Sequence, residues 1–347
     1  MSARAAFDFG GVRAEVRGPS GVVEELARDF SRFRVGSGAG GICLELELAR
    51  DLRAARALRL FPRTRRYRVR DEGSCRLVVY TDGSQLEWDF AAGRGRAWAR
   101  EVWRLREIGY LTILSRVGEA LEERGLARVH ALGFARGAEA GLLVLPSGAG
   151  KSVIALEMAR APGWGLLSDD TPLVDEKACA HPFPLRFGFL PDADLRGVGL
   201  EWRREFRRWG RATKIAVDAE FFRGRLAGPS PVRWVVVGER RPGAATAAAP
   251  LPWAAGAVAL IDALVVGRGV AQLSELMLRP GAGSTLARLA AGRWRRARAL
   301  LSRARLIRLT IGGGPAEALA ALEAALESDL RRQAASVESS DAPGRHS

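Results

Sequence analysis

The spacing of apolar positions changes several times along the first 125 or so residues, and each change marks an element. Ala6 to Arg17 has strand content, and Pro19-Ser20 opens an amphipathic stretch from Val22 to Phe33 that predicts a helix. From Gly41 to Leu48 the apolar positions Ile42, Leu44, Leu46 and Leu48 alternate, as in a half-buried strand. Cys75 to Tyr80 and Gln85 to Phe90 flank Thr81-Asp82-Gly83-Ser84, whose Asp-Gly pair suits a tight hairpin turn. Ala97 to Arg124 then carries Trp98, Val102, Leu105, Ile108, Leu111 and Leu114 at helical spacing, with Gly109 as the point where a break is expected. These elements predict a small α+β domain over residues 1–125.

Beyond it the pattern becomes strand, strand, glycine-rich turn, helix, strand. The strands are Ala127 to Phe134, Gly141 to Leu145 and Gly165 to Leu167, the helix is Ser152 to Arg160, and the last strand ends at Ser168-Asp169-Asp170. Trp234 to Val237 and Val258 to Val266 read as further strands, Glu275 to Arg279 and Gly283 to Arg305 as helices, and Leu306 to Ile311 as a strand. A final helix runs from Pro315 to about Arg332, and the polar tail Gln333 to Ser347 is expected to be disordered. No internal repeat is visible. The fold class is therefore α/β with an α+β N-terminal domain, the second domain covering residues 126–332.

Composition narrows this picture. With 347 residues, 48% hydrophobic and 27% charged, the chain is long enough for about two domains and has the balance of a globular protein. Its 54 basic and 39 acidic residues give a formal charge of +15, which favours polyanions without choosing among nucleic acid, acidic membranes and nucleotides. Nearly all the cations are arginine, a coding habit that makes part of the excess compositional and disfavours a dedicated nucleic-acid surface. Only Lys151, Lys177 and Lys214 are lysine, and a lysine retained in such a chain marks a place where a planar guanidinium does not fit. Cys43, Cys75 and Cys179 form no CxxC pair and have no neighbouring histidine at zinc-ligand spacing, which suits a reducing setting. No apolar stretch of signal-peptide length opens the chain. The longest apolar run, Ala254 to Gly267, is broken by Asp262 and is shorter than the roughly 20 residues of a membrane span. A cytoplasmic chain that does not enter membranes is expected.

The most informative segment is Gly141-Leu-Leu-Val-Leu-Pro-Ser-Gly-Ala-Gly-Lys-Ser-Val-Ile-Ala-Leu-Glu157, a strand that passes through a glycine-rich turn straight into a helix. That context is the one a phosphate-binding P-loop requires. Ser147, Gly148, Ala149 and Gly150 would turn the backbone so that successive N–H groups converge on a phosphate, at the positive end of the following helix. Lys151 would reach the β- and γ-phosphates and Ser152 would ligate Mg²⁺. Leu145 stands where the G-x-x-x-x-G-K-S pattern has its first glycine. Asp169 and Asp170 follow at the tip of the next strand, where one carboxylate can serve a metal and the other can take a proton from an attacking hydroxyl. His130, on the strand before the turn, is either a core histidine or a hydrogen-bond partner of a carboxylate or phosphate.

His130-Ala131, Pro146-Ser-Gly-Ala-Gly-Lys-Ser152 and Gly163-Trp-Gly-Leu-Leu-Ser-Asp-Asp-Thr-Pro-Leu-Val-Asp175 resemble the catalytic core of the HPr serine kinase/phosphorylase and related kinases. More distantly, the P-loop followed by an Asp-Asp pair is similar to phosphoenolpyruvate carboxykinase. The match spans about Val129 to Phe189, with weaker similarity through Thr213-Lys214-Ile215. The resemblance implies a P-loop kinase core, ATP and Mg²⁺ as cofactors, and phosphoryl transfer to a hydroxyl, serine first, of a protein or peptide acceptor. It further implies that one of Asp169 and Asp170 is the base, the assignment made being Asp169 as base and Asp170 as metal ligand beside Ser152, and that His130 orients the site; relatives of this type are often homo-oligomers. The chain lacks a clear copy of the Arg-Gly-rich signature of HPr kinases proper, Leu185-Arg186-Phe187-Gly188 being a faint echo, so a peptide acceptor stands beside HPr.

Two rival readings accompany this one. A regulatory module could bind nucleotide without transferring phosphate, with Leu145 marking a retired loop. A basic nucleic-acid-binding protein could instead use Trp202-Arg-Arg-Glu-Phe-Arg-Arg-Trp209-Gly-Arg-Ala-Thr-Lys214 and Arg293-Trp-Arg-Arg-Ala-Arg298. Solvated helices account for both segments as well, and the first, lying between the Asp pair and Lys214, is expected near the mouth of the site as an acceptor-binding or lid element.

Overall fold

A computed structural model describes residues 1–36, 41–49, 66–277 and 282–340. The fold is mixed α/β, built on two large mixed sheets and a small antiparallel one. The first sheet comprises β1 (Ser2–Phe9), β2 (Val12–Pro19), β3 (Arg34–Val35), β4 (Ile42–Leu48), β5 (Tyr67–Glu72), β6 (Cys75–Tyr80), β7 (Gln85–Asp89) and β8 (Arg94–Ala99), in the order β3-β1-β2-β4-β8-β7-β6-β5. Helices α1 (Ser20–Asp29) and α2 (Val102–Glu123) cover one face, burying Phe7, Phe9, Leu26, Phe30, Leu44, Leu46 and Ile113. On α2 the glycine at 109 does not break the helix. It permits close approach, since a Cβ there would sit 3.1 Å from Leu26 and 3.2 Å from Leu46. The helix begins later than its periodicity suggested because Arg94–Ala99 is claimed as a strand between β4 and β7. The core of this sheet also takes in Phe183, Leu185, Leu273 and Leu276 from the rest of the chain.

The second sheet holds β9 (Ala127–Arg128), β10 (Leu132–Arg136), β11 (Glu139–Val144), β12 (Trp164–Ser168), β13 (Leu173–Val174), β14 (Cys179–His181), β18 (Ser230–Arg240), β19 (Ala247–Pro250) and β20 (Arg305–Ile311). Strands β11, β18 and β20 run parallel. Both faces are covered, which is why these strands read as continuous apolar runs. Leu143, Trp234 and Val236 pack toward helices α3 (Lys151–Arg160) and α7 (Pro315–Ser340). Leu142 and Val235 pack the other way, toward α4 (Trp253–Leu260) and α6 (Gly283–Arg303). The third sheet is β15-β17-β16, with β15 (Phe187–Phe189), β16 (Arg203–Phe206) and β17 (Lys214–Val217). Short helix α5 (Ser274–Met277) precedes α6.

Several sequence expectations need correction. Val258 to Val266 is not a strand: α4 runs into a π-helical turn, Ile261–Val266. An apolar run of this length, opened by Pro252, fits a buried helix as well as a strand, and periodicity alone cannot separate them. The Trp202 segment is not a helix but strand β16 and its loop. Arg293 and Arg296 are buried, bonding Glu122 at 2.6 Å and the Gly125 carbonyl at 3.0 Å, so they fasten α6 to the end of α2. The last helix continues to Ser340 through part of the expected disordered tail. Residues 341–347, and the end of the helix expected over Glu275 to Arg279, lie outside the described residues. No helix among those described is long and apolar enough to cross a membrane.

Candidate functional site

Strand direction gathers the candidate residues at one edge of the second sheet. The glycine-rich turn leaves the C-terminal end of β11, and Arg240 ends the parallel neighbour β18. Strand β10 is antiparallel to both β11 and β12, so His130, just before it, and Asp169-Asp170, just after β12, come to the same edge. Open α/β sheets bind ligands at such carboxyl ends. A cavity of about 380 Å³ lies there, lined by Ser147, Gly148, Gly150, Lys151, Ser152, Asp169 and Asp170 on one side. Ala149 instead packs against the core beneath the turn.

The turn depends on its glycines. Gly148 has φ +83° and Gly150 φ +107°, the left-handed region that other residues enter with strain. Gly150 caps α3, whose first N–H groups thereby face the cavity. Leu145 takes no part in the lining. Its side chain is buried over Gly238 on β18, where a Cβ would come within 2.6 Å of it, so a glycine on the neighbouring strand accommodates the leucine. The Leu145 carbonyl accepts a hydrogen bond from Lys151 Nζ at 2.7 Å.

Lys151 is buried and also lies 3.1 Å from His130 Nε2 and 3.6 Å from Asp170 Oδ1. An ammonium only donates, so Nε2 must be the acceptor, leaving the ring proton on Nδ1, 3.1 Å from Asp170 Oδ1. His130 thus stands behind the Lys151–Asp170 pair and does not line the cavity. The close fit of this ring needs Gly269 (φ +94°), where a Cβ would lie 2.5 Å from it.

The two aspartates sit in different environments. Asp169 is buried; its Oδ2 accepts from Ser152 Oγ at 2.8 Å and from the Gly188 N–H at 3.1 Å, while Oδ1 is buried with no partner among the described residues. Burial, and then the neighbouring Asp170 charge, push its pKa up to about 6. Asp170 is 40% exposed. Partial desolvation still opposes its ionisation, but His130 and Lys151 prevail and hold its pKa at about 2. The single Ser152 hydroxyl proton is shared between Asp169 Oδ2 and the Gly188 carbonyl, 2.9 Å away, so Ser152 contacts Asp169 and not Asp170. The oxygen donors of Ser152, Asp169 and Asp170 suit a hard cation such as Mg²⁺.

No protein-family model matches this chain, and a search of curated proteins finds none similar to it.

The opposite wall was only partly visible in the sequence. Phe206, Arg208, Arg211 and Lys214, from the expected lid segment, line the cavity with Arg186 and Arg240. Arg240 Nη1 lies 4.0 Å from where a Cβ on Gly150 would be. Arg186 is clamped between the rings of Tyr110 and Phe206, at 3.8 and 4.3 Å, and pairs with buried Asp29 of α1. In contrast, Arg208, Arg211, Lys214 and Arg240 have no ion-pair partner among the described residues. Arg208 and Lys214 both lose basicity, first through burial and then through neighbouring cations, Arg186 for the former and Arg208 for the latter. Trp202 and Trp209 are not in the lining. Trp209 caps Arg104 at 4.7 Å and donates its backbone N–H to Glu107, so it is not a stacking platform.

Proposed function

We propose that this chain is an ATP- and Mg²⁺-dependent kinase with a P-loop core of HPr-kinase type, transferring the γ-phosphate to a hydroxyl, serine by preference, of a protein or peptide. The observation that carries this reading is Asp169 beside the Lys151-Ser152 turn: one carboxylate oxygen is fixed, and the other is buried, unpartnered and near neutrality. A base with a pKa near working pH, fixed in orientation, is what removal of a hydroxyl proton requires. The acceptor O–H proton passes to Asp169 Oδ1 as its oxygen bonds to the γ-phosphorus, and the bond from that phosphorus to the β,γ-bridging oxygen breaks, releasing ADP.

The turn's N–H groups and Lys151 bind the β- and γ-phosphates, while Arg208, Arg211, Lys214 and Arg240 supply further positive charge to a polyanion that brings the matching negative charge. Lys151 exchanges the Leu145 carbonyl and Asp170 for phosphate oxygens, and His130 keeps Asp170 oriented as it does so. Ser152 and Asp170 would hold Mg²⁺, which neutralises charge on the transferred group when bound.

Incubation with γ-labelled ATP, Mg²⁺ and a panel of serine-containing peptides and proteins tests the reading. Label should appear as phosphoserine and be absent with Asp169→Asn. Nucleotide binding without transfer to any acceptor would replace the kinase by the regulatory nucleotide-binding module.

A further inference from the structure

Outside that cavity, the tight turn between β13 and β14 brings three donor side chains to one side of a hairpin. Leu173 pairs with His181 in register, and the Asp175 N–H donates to the Cys179 carbonyl at 3.1 Å, so Asp175 stands opposite Cys179. Cys179 and His181 are two residues apart on one strand and share a face. Ala178, at φ 59°, is the one non-glycine residue in the left-handed region among those described, and this bend sets Cys179 across from Asp175. Asp175 Oδ1 accepts from the backbone N–H groups of Lys177 and Cys179, both at 2.9 Å, which fixes the carboxylate. Its Oδ2 is left 3.1 Å from His181 Nε2. One donor atom from each of the three residues lies within 4.8 Å of the others, and all three residues are half-buried.

The sequence concealed this group, because Cys-x-His on a strand is not a familiar zinc-finger spacing and Asp175 joins only through the turn. Zinc bonds of about 2.0 to 2.3 Å put tetrahedral donors roughly 3.3 to 3.8 Å apart. The Asp175–His181 separation is already within a few tenths of an ångström of that, and a rotation of the Cys179 side chain brings in the sulfur.

We propose that Asp175, Cys179 and His181 form a binding site for a divalent transition metal of the zinc class, with three protein ligands and a fourth position open to water. Thiolate with imidazole and carboxylate selects such an ion over Mg²⁺. Binding releases the Cys179 thiol proton to solvent, and the proton that His181 Nε2 donates to Asp175 Oδ2 moves to Nδ1, which frees Nε2 for the metal. The ion staples the hairpin that leaves Asp169-Asp170 and leads to Arg186, so it stiffens the chain behind the cavity without entering it. This site stands or falls independently of nucleotide binding.

The test is titration of the purified, chelator-stripped full chain with Co²⁺, then Zn²⁺, in the absence of nucleotide. One equivalent of Co²⁺ should give a thiolate-to-cobalt charge-transfer band that Zn²⁺ displaces. Cys179→Ser should abolish the band. Asp175→Asn, which keeps the oxygen that organises the turn, and His181→Ala should weaken binding by at least the roughly 10-fold that losing even an outer-shell partner costs. Circular dichroism of the metal-free variants checks that each is folded, and should Cys179→Ser fail to fold, the other two decide. Absence of the band in the wild type, or its persistence unchanged in Cys179→Ser, which would move the thiolate to Cys43 or Cys75, overturns the proposal.

Discussion

Arg204 and Arg208 are four residues apart, yet they belong to regions with opposite charge balance. Arg204 enters a lattice in which buried Asp29 holds Arg106, Arg186 and Arg204, while Glu25 and Asp218 take the remaining donors. Burial works against the Asp29 charge, but Arg186, Arg204 and Arg106 outweigh it and hold its pKa far below the usual carboxylate range. Arg208 enters the cavity with Arg211, Lys214 and Arg240, none of which has an ion-pair partner among the described residues. The first group is neutralised inside the fold and joins α1 to the third sheet. The second leaves positive charge without an ion-pair partner at the cavity, which in the proposed function an anionic ligand would neutralise. An overall charge of +15 cannot distinguish these uses, but the partners do.

The contrast can be broken from either side. The largest effect expected is in the cavity: Asp169→Asn should lower phosphoryl transfer about 10²- to 10⁴-fold while Mg²⁺·ATP binding persists, read by comparing turnover with calorimetry. The same residue sets a pH dependence. The base is the ionised form and its pKa is raised to about 6, so turnover should climb as pH rises through that value and level off above it. Asp29→Asn breaks the neutralised lattice, and an uncompensated buried charge cluster should cost about 3–5 kcal/mol in denaturant unfolding. Its loss also leaves Arg186, which lines the cavity, without its carboxylate partner, so residual folded protein should bind nucleotide at least as tightly.

Leu145→Gly restores the usual glycine of the P-loop pattern but vacates the space over Gly238. A stability loss of about 2–5 kcal/mol with no gain in nucleotide affinity is expected, because the leucine does not face the cavity. Arg208→Ala should be the mildest. Mg²⁺·ATP affinity should fall roughly 10- to 100-fold with loss of a charge-assisted contact, while the thermal midpoint of the ligand-free protein stays level or rises. A falling midpoint would show that Arg208 is neutralised after all and would blur the contrast.

How much of this was legible follows from which contacts are local. The turn from Pro146 to Ser152 and its flanking strand and helix were readable because positive-φ glycines, an apolar run and a helix start lie within one short segment. The Asp pair was readable at a strand end, but the difference between Asp169 and Asp170 was not. It comes from Gly188 and Ser152 on one side and His130 and Lys151 on the other. Arg240 became visible only with the strand order, since nothing near it in sequence points to the turn, and Arg186 stood in the sequence only within the faint signature echo Leu185-Arg186-Phe187-Gly188. The helix over 253–260 hid for a different reason: Val258 to Val266 has strand-like composition, and only packing against the sheet decides its form.

Whether this cavity is a nucleotide site is decided by calorimetric titration of the wild type and of Lys151→Ala with ATP in the presence of Mg²⁺. One saturable site is expected in the wild type, with a loss of affinity of at least about 10-fold in the variant, as for any removed charge-assisted contact to phosphate. Equal binding by both proteins, or binding by neither, would contradict a nucleotide site in this cavity.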